Sequence, residues 1–499
     1  MNLARAISFT FALLSLTLLA APHAEAQPAT TAGQPKPSPA DSDSKGGDLM
    51  QKQPQSGLTK RVLDLLGGFR FGTYGRMGIS SDLDEGSKAK SLNVVSHGPR
   101  LEESPYAEFD LGYVLERGKN NFRFRIAFTL AFFEDFFHYN GKFEATLAVR
   151  NLFAQAENVF IPGLSFWAGS RMYRGNDIYL LDYWPLDNLN TIGGGAGIQL
   201  RSKTRIDLHV GVNRLDDPFQ LQRLDVPAPT FGTEPVDVLD RQRTIGSIKI
   251  TQQFDNIWGK LCMKIVGYGE IHYLPSGTRR ETGDPLIEEE LPQDAGWVVG
   301  AQVGFWSFGQ NNGFLNFWAR FAGGLAAYGD LAVPRGLGPD KTSADAREIV
   351  LAAAGNYERG LLGVTWGGYA RYFRDGDGVQ SDFDDGWELV FAARPHLIIT
   401  DWFHQAFEAS IQHRRPDGLN PRTQTQLKPT VFKFTVMPTL NWKRGVYSRP
   451  QIRLLYTLSV LDRGAQLGYP VEDQRYGEAV QHYLGIQVEW WLNSFSLIR

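Results

Sequence analysis

The segment from Tyr483 to Leu492 reads YLGIQVEWWL, and its side chains alternate between two characters. In an extended chain, one face would carry only apolar side chains: Leu484, Ile486, Val488, Trp490 and Leu492. The other face would carry Tyr483, Gly485, Gln487, Glu489 and Trp491. Because successive side chains of a β-strand point to opposite sides, the segment is predicted to be a strand with one apolar and one polar face.

The same alternation recurs along the chain, most clearly in Asn121–Thr129, which reads NFRFRIAFT. We count eighteen such segments between residues 69 and 492. Short turns such as 116–120 and 443–445 alternate with long links such as 214–242. A soluble sandwich also alternates its faces, but it has no reason to alternate its turn lengths. An even strand number with turns at one end and loops at the other predicts an all-β, 18-stranded antiparallel transmembrane barrel of the outer-membrane type, with short periplasmic turns and long extracellular loops.

A barrel of about eighteen strands encloses a lumen that its own wall side chains cannot fill. The third long link, Met172–Thr191, holds most of an unusual run, Phe166–Trp184, which reads FWAGSRMYRGNDIYLLDYW. Six aromatic residues stand there among arginines and aspartates. We therefore expect the third loop to fold into the lumen and narrow it.

The N-terminus predicts export. Arg5 precedes an apolar run, Ala6–Ala21, and then Ala24-Glu25-Ala26, which is the arrangement of a secretory signal cleaved after Ala26. The expected organisation is a signal peptide at 1–26, a flexible Pro/Ser/Gln-rich periplasmic spacer at 27–60 and a barrel domain at 61–499. The net charge of −3 does not favour a nucleic-acid partner, and the single cysteine excludes an intramolecular disulfide.

Several motifs, in order, resemble those of the maltoporin family, the sugar-specific porins of Gram-negative outer membranes. They are FGTYGRMG at 71–78, YAEFDLG at 106–112, FWAGSR at 166–171, DIYLLDYW at 177–184 and GIQVEWW at 485–491. The resemblance spans about residues 69 to 492. It implies eighteen antiparallel strands, a homotrimer in outer-membrane lipid, and passive diffusion of maltose- or maltodextrin-type oligosaccharides without a cofactor or catalytic group.

The resemblance also implies site residues. An aromatic slide and constriction would comprise Tyr74, Tyr106, Trp184, Trp387 and Trp491. Polar tracks beside it would comprise Arg76, Glu108, Arg150, Asp177 and Asp182. Side-chain alternation independently places the two members of each of three pairs on the same, inner face of their strand: Tyr74 and Arg76, Tyr106 and Glu108, and Trp491 and Glu489. The resemblance places Trp387 in the slide, but only with a gap in the alignment. Side-chain alternation instead places Trp387 on the same face as the apolar Leu389.

The chain departs from the family pattern in the third loop. Gly175, with Arg174 beside it, stands where the family has an arginine; Tyr179 replaces a histidine and Pro185 a second tyrosine. The slide tryptophan that a neighbouring subunit contributes has no clear match. Three aromatic residues of the second long link are candidates: Phe136, Phe137 and Tyr139.

Other interpretations of these residues remain open. Tyr74 and Tyr106 would also suit the aromatic girdles that barrels carry at both water boundaries, and Trp490, on the apolar face, is interpreted as girdle. Asp177 and Asp182 would also serve to rigidify the loop by local hydrogen bonds. The run Asp382–Asp385 is interpreted as solvated loop charge, and no His, Cys or acidic group is assigned to a metal.

The function expected is a sugar-selective outer-membrane porin that is not an enzyme, and a phage or a periplasmic binding protein is considered as a further partner. A general or anion-preferring diffusion porin is the alternative. A secreted carbohydrate-binding or hydrolysing β protein is the third reading, although adjacent acids such as Asp384 and Asp385 fit poorly the two separated carboxylates of a glycosidase.

Overall fold

A computed structural model describes residues 67–84, 88–117, 121–133, 145–281, 284–377 and 382–493. The expected signal peptide and spacer lie outside the described residues, as do Phe136, Phe137 and Tyr139. Among the described residues, no helix combines the length and the apolar character needed to cross a membrane.

Eighteen strands of the described residues pair into one closed antiparallel sheet. They are β1 (Phe69–Ser81), β2 (Tyr106–Arg117), β3 (Phe122–Phe133), β4 (Thr146–Glu157), β5 (Leu164–Arg174), β6 (Asn188–Gln199), β7 (Thr204–Asn213), β10 (Arg243–Trp258), β11 (Leu261–Leu274), β14 (Asp294–Phe308), β15 (Gln310–Gly324), β16 (Arg347–Arg359), β17 (Leu362–Arg374), β18 (Gly386–Ile398), β19 (Phe403–Pro416), β20 (Thr430–Asn441), β21 (Gln451–Leu461) and β22 (Val480–Leu492). Each strand pairs with its neighbours in this order, and β1 pairs with both β2 and β22, which closes the barrel. The predicted strand number and closure are confirmed.

Two long links contain further structure that the sequence analysis treated as loop. Among the described residues, β8 (Leu221–Pro227) pairs with β9 (Thr233–Asp240), and β12 (Gly277–Glu281) pairs with β13 (Asp284–Leu291). Short helical segments lie at Arg100–Glu102, Tyr179–Leu181, Leu325–Tyr328 and Arg463–Gln466. The strands of these hairpins alternate too weakly between apolar and polar residues to be recognised as strands from the sequence.

The two faces of the wall differ as the alternation predicts. On β18, Leu389 and Phe391 face outward and are exposed, whereas Glu388, Val390 and Ala392 face inward and are buried. Exposed apolar side chains recur on the outer faces of the other barrel strands. Because barrel strands place apolar residues toward lipid, this outer belt is the surface that contacts the membrane.

The third loop, residues 175–187, folds into the lumen as expected. Ile178 and Leu180 have no exposed surface, and Leu181 is almost fully buried. They form one apolar cluster with inward-facing side chains of the opposite wall, among them Val266, Tyr268, Val298, Trp318, Val350, Ala352, Tyr369 and Val390. Burial of these apolar side chains holds the loop inside the barrel, since removing apolar surface from water is favourable.

The first long link, between β1 and β2, also folds inward, which the sequence analysis did not predict. The backbone N–H of Val94 donates to Gln412 Oε1 at 3.0 Å, and the Ser96 hydroxyl donates to Glu388 at 2.9 Å. The His97 ring stacks on Tyr183 of the third loop, with centroids 4.3 Å apart. The two links therefore narrow the lumen together.

Candidate functional site: the lumen beside the third loop

Tyr74 and Tyr106 lie side by side on the inner wall. Antiparallel pairing of β1 with β2 sets Tyr74 opposite Glu108 and Arg76 opposite Tyr106. The two tyrosine rings are tilted with centroids 5.9 Å apart, and both are partly exposed. The register thus places each ring between a charged residue of its own strand and one of the neighbouring strand.

The charged residues beside these rings are held by one another. The Tyr106 hydroxyl donates to Glu108, and Arg150 of β4 donates to the Tyr106 hydroxyl. Arg150 also forms an ion pair with Glu108 at 3.2 Å. Arg76 forms an ion pair with Glu103 at 2.8 Å and donates to the Tyr74 hydroxyl at 3.2 Å. These contacts fix the polar groups on the inner wall, where Glu108 is buried and Arg76, Glu103 and Arg150 remain partly exposed.

Trp491 continues the aromatic row on β22. The register pairs Trp491 with Tyr74, and its ring stacks on Tyr447 with centroids 6.4 Å apart. The Arg449 guanidinium lies 4.5 Å from the Trp491 ring centroid, a cation–π contact. Tyr447, from the link between β20 and β21, was not predicted as a site residue, because no strand period covers a link.

Tyr179 of the third loop stands in the middle of this row. Its hydroxyl lies 2.8 Å from Glu489 Oε2 and accepts a hydrogen bond from Arg449. Its ring packs edge to face on Trp491, with centroids 5.7 Å apart. Burial raises the pKa of the Tyr179 phenol, but the arginines around it, Arg449 first, lower that pKa more, so the net shift is downward.

Arg100, from the first link, joins the two sides of the site. It donates to the Tyr74 hydroxyl and lies 3.8 Å from Glu489 and 3.9 Å from Asp182. Its guanidinium lies 4.9 Å from the Tyr179 ring centroid. Sequence reasoning missed it, because nothing in its local sequence distinguishes it from a solvated loop arginine.

The two loop aspartates lie in different surroundings. Burial raises the pKa of the Asp182 carboxyl, but Arg100 and Arg76, with two further arginines, outweigh burial and lower that pKa. Its side chain remains 38% exposed, so the carboxylate faces the water of the lumen. Asp177 lies close enough to Tyr447 to add to the rise that burial causes in the pKa of that phenol.

Trp184 lies at the end of the third loop and is partly exposed. The Arg174 guanidinium lies 4.3 Å from its ring centroid. Position 175 has no room for a side chain, because a Cβ there would collide with the Asp187 carboxylate, which is paired with Lys249 at 2.8 Å. The arginine beside Gly175, rather than one at 175, therefore supplies the cation at this end of the loop.

Two sequence interpretations need correction, and a third agrees with the structure. Trp387 is 48% exposed on the outer face, with Leu389, so the gapped alignment placed it wrongly and the parity argument was right. Asp385 is 2% exposed rather than solvated, since its carboxylate accepts the backbone N–H of Asp375 at 2.7 Å. Trp490 lies over Gly75 and donates to Thr73 on the outer face, as a girdle residue would.

A closed barrel with an apolar outer belt and a narrowed, charged and aromatic lumen defines an outer-membrane porin, a membrane channel. The chain belongs to the LamB porin family, whose model matches residues 69–491. Its location is accordingly the outer membrane of a Gram-negative bacterium.

Several solved structures match the chain at low sequence identity. OpdK of Pseudomonas aeruginosa, crystallised with vanillate, is 9% identical over 85% of this chain and 98% of its own, with a TM-score of 0.42. OccAB1 of Acinetobacter baumannii is 10% identical over 85% and 96%, with a TM-score of 0.41. OmpT of Vibrio cholerae, in a trimer form, is 9% identical over 85% and 100%, with a TM-score of 0.38.

Proposed function

We propose that this porin passes maltose- and maltodextrin-type oligosaccharides by passive, facilitated diffusion. The aromatic path would consist of Tyr106, Tyr74, Trp491 and Tyr447, with Trp184 narrowing the lumen at the third loop. Polar tracks beside the path would consist of Arg76, Glu108, Arg150, Asp177 and Asp182. Trp387 has no part in this path. Family membership supports a homotrimer as the working assembly.

The observation that carries the proposal is the row of partly exposed rings along the inner wall. The rings of Tyr74 and Tyr106 have centroids 5.9 Å apart, and those of Trp491 and Tyr447 have centroids 6.4 Å apart. Each pair of rings therefore presents neighbouring apolar surfaces to an aqueous lumen. A sugar ring has apolar C–H faces that can pack on such patches and lose contact with water. A row of them lets an oligosaccharide leave one ring as it meets the next.

The hydroxyl rim of a sugar needs the second kind of surface. Glu108 and Arg150, and likewise Arg76 and Glu103, are already paired at 3.2 Å and 2.8 Å. Hydroxyl groups can exchange hydrogen bonds with such pairs, and bonds to charged partners are the stronger ones. For conduction, a sugar must bind favourably enough to enter the channel and weakly enough to leave it. Several weak binding sites in a row meet both requirements.

The test is current block in planar bilayers by maltose, maltotriose and maltohexaose. We expect saturable block that strengthens with chain length. Trp491→Ala should raise the half-blocking concentration roughly fivefold, since a lost stacking surface costs about 1 kcal/mol. Trp387→Ala is the matched control, because it removes an indole from the outer face. Absence of block by every sugar, with ion conduction intact, would sink the proposal.

An anion-preferring diffusion porin is the second candidate, and one observation favours it. Arg100, Arg394 and Arg449 all lie within 4.9 to 5.7 Å of the Tyr179 ring centroid, so cationic groups converge on one point of the lumen. Glu489 and Glu408 offset part of that charge, through pairs with Arg449 and Arg394 at 2.8 Å each. A reversal potential across a salt gradient that indicates anion selectivity, together with no block of the current by sugars, would favour this candidate.

A further inference from the structure

The link between β17 and β18, residues 375–385, reads DGDGVQSDFDD and is densely acidic. One carboxylate oxygen from each of Asp375, Asp377 and Asp382 lies within 4.8 Å of the others. A set made only of oxygens suits a hard divalent cation, and no thiolate or imidazole is present to select zinc or copper. Acidic groups on a surface are common without a ligand, but this cluster includes one carboxylate that is almost fully buried.

The buried carboxylate is that of Asp375, which is 1% exposed. Its Oδ1 accepts the backbone N–H of Asp377 at 3.1 Å, whereas its Oδ2 is buried and has no hydrogen-bond partner among the described residues. A buried carboxylate oxygen left without a partner is costly. Position 336 is a glycine with φ +59°, and a Cβ there would collide with this Oδ2, so the link 325–346 closes directly over the carboxylate.

We propose that Asp375, Asp377 and Asp382 bind one calcium ion at the end of the barrel that carries the long links. The site lies where three links meet. Gly376 donates its N–H to the Tyr328 hydroxyl at 2.9 Å, which joins the link 325–346, and Gly418 donates to the Asp382 carbonyl at 2.8 Å, which joins the link 417–429. Calcium would stabilise this junction independently of what the channel transports.

The experiment is a calorimetric titration of the full-length protein with calcium chloride, after chelator treatment in detergent free of lipopolysaccharide. We expect one saturable site per chain, and weaker binding of magnesium, which demands a more rigid octahedral geometry. Asp375→Asn and Asp382→Asn should each weaken calcium binding at least tenfold. Both substitutions keep the size of the side chain and remove one of several neighbouring like charges, so the barrel should fold, as heat-modifiable migration on gels would verify.

The matched control is Asp345→Asn, which removes an exposed carboxylate from the neighbouring link without touching the cluster. It should bind calcium as the wild type does. Failure of the wild type to bind at millimolar calcium would overturn the proposal, and so would unchanged binding in both aspartate variants. Should the variants not fold, the wild-type titration decides by itself whether a saturable site exists.

Discussion

At the scale of single residues, Tyr179 is the point where the two inward-folded links and the wall meet. Its phenol contacts Glu489 and Arg449, and Arg100 lies over its ring. A histidine at this position would carry a titratable ring near neutral pH, whereas a tyrosine stays neutral there. With Tyr179 neutral, the charges around it are those of the arginines, Glu489 and Asp182.

The lowered pKa of Tyr179 predicts a change in selectivity at alkaline pH. Its phenol ionises at a lower pH than an ordinary tyrosine, so a negative charge enters the arginine cluster as pH rises toward 10. Anion permeability relative to cation permeability should fall over that range. Tyr179→Phe should abolish this change and leave selectivity at pH 7 nearly unaltered.

Reversal potentials at pH 7 to 10.5 measure this effect. Tyr328→Phe is a suitable control, because its phenol lies in another link and the net shift of its pKa is upward, mainly through burial, whereas that of Tyr179 is downward. An alkaline change that persists in Tyr179→Phe would assign the titrating group elsewhere.

Trp184 offers a second test at the residue scale. Trp184→Ala should increase single-channel conductance, because it removes the indole that packs on Arg174 at the end of the third loop. Single-channel recording measures the increase, with Trp387→Ala on the outer face as the control. Unchanged conductance would show that Trp184 does not narrow the lumen, and it would not bear on the aromatic row.

At the scale of elements, the third loop is held by apolar contacts with the far wall rather than by its own secondary structure. Its helical segment is three residues long, Tyr179–Leu181, and Ile178 beside it is fully buried. Ile178 lies over Gly367 of β17, where a Cβ would approach its side chain too closely. The loop thus depends on a gap in the wall that only a glycine leaves.

Gly367→Val should push the third loop off the wall and produce larger, noisier channels. Overpacking of a closed contact costs about 1–3 kcal/mol, which is enough to shift the loop without unfolding an eighteen-stranded barrel. Gly267→Val makes the same change on β11 where the added side chain meets open space, and it should leave conductance unchanged. Equal noise in the two variants would mean that valine disturbs the strands themselves.

At the scale of the whole molecule, the barrel separates two environments by side-chain parity. Outward residues such as Phe391 and Leu389 meet lipid, and inward residues such as Glu388 meet the links and the water of the lumen. Closure of β1 on β22 brings together residues hundreds of positions apart, including Tyr179 and Glu489. The site therefore exists only in the closed barrel.

A charged side chain on the lipid-facing outer belt is expected to lower the stability of the folded barrel. Phe391→Arg should destabilise folding into phospholipid vesicles by about 2–4 kcal/mol if the residue lies near the bilayer midplane. Leu331→Arg is the control, since Leu331 is an exposed apolar residue of the link 325–346 rather than of the wall. Urea titration of folding measures both variants, and equal stability would contradict a lipid-facing position for Phe391.

The local pattern of the sequence determined the strands, their two faces and the presence of a loop in the lumen. Alternation is a short-range property, so segments such as Tyr483–Leu492 could be interpreted without their neighbours, and parity placed Trp387 outward correctly. Only the tertiary structure decided the partners: Arg100 beside Tyr179, Tyr447 beside Trp491, and the burial of Asp385 in a run, Asp382–Asp385, that was interpreted as solvated. Those contacts join links to distant strands, and their geometry arises from closure of the barrel, which no periodicity along the chain encodes.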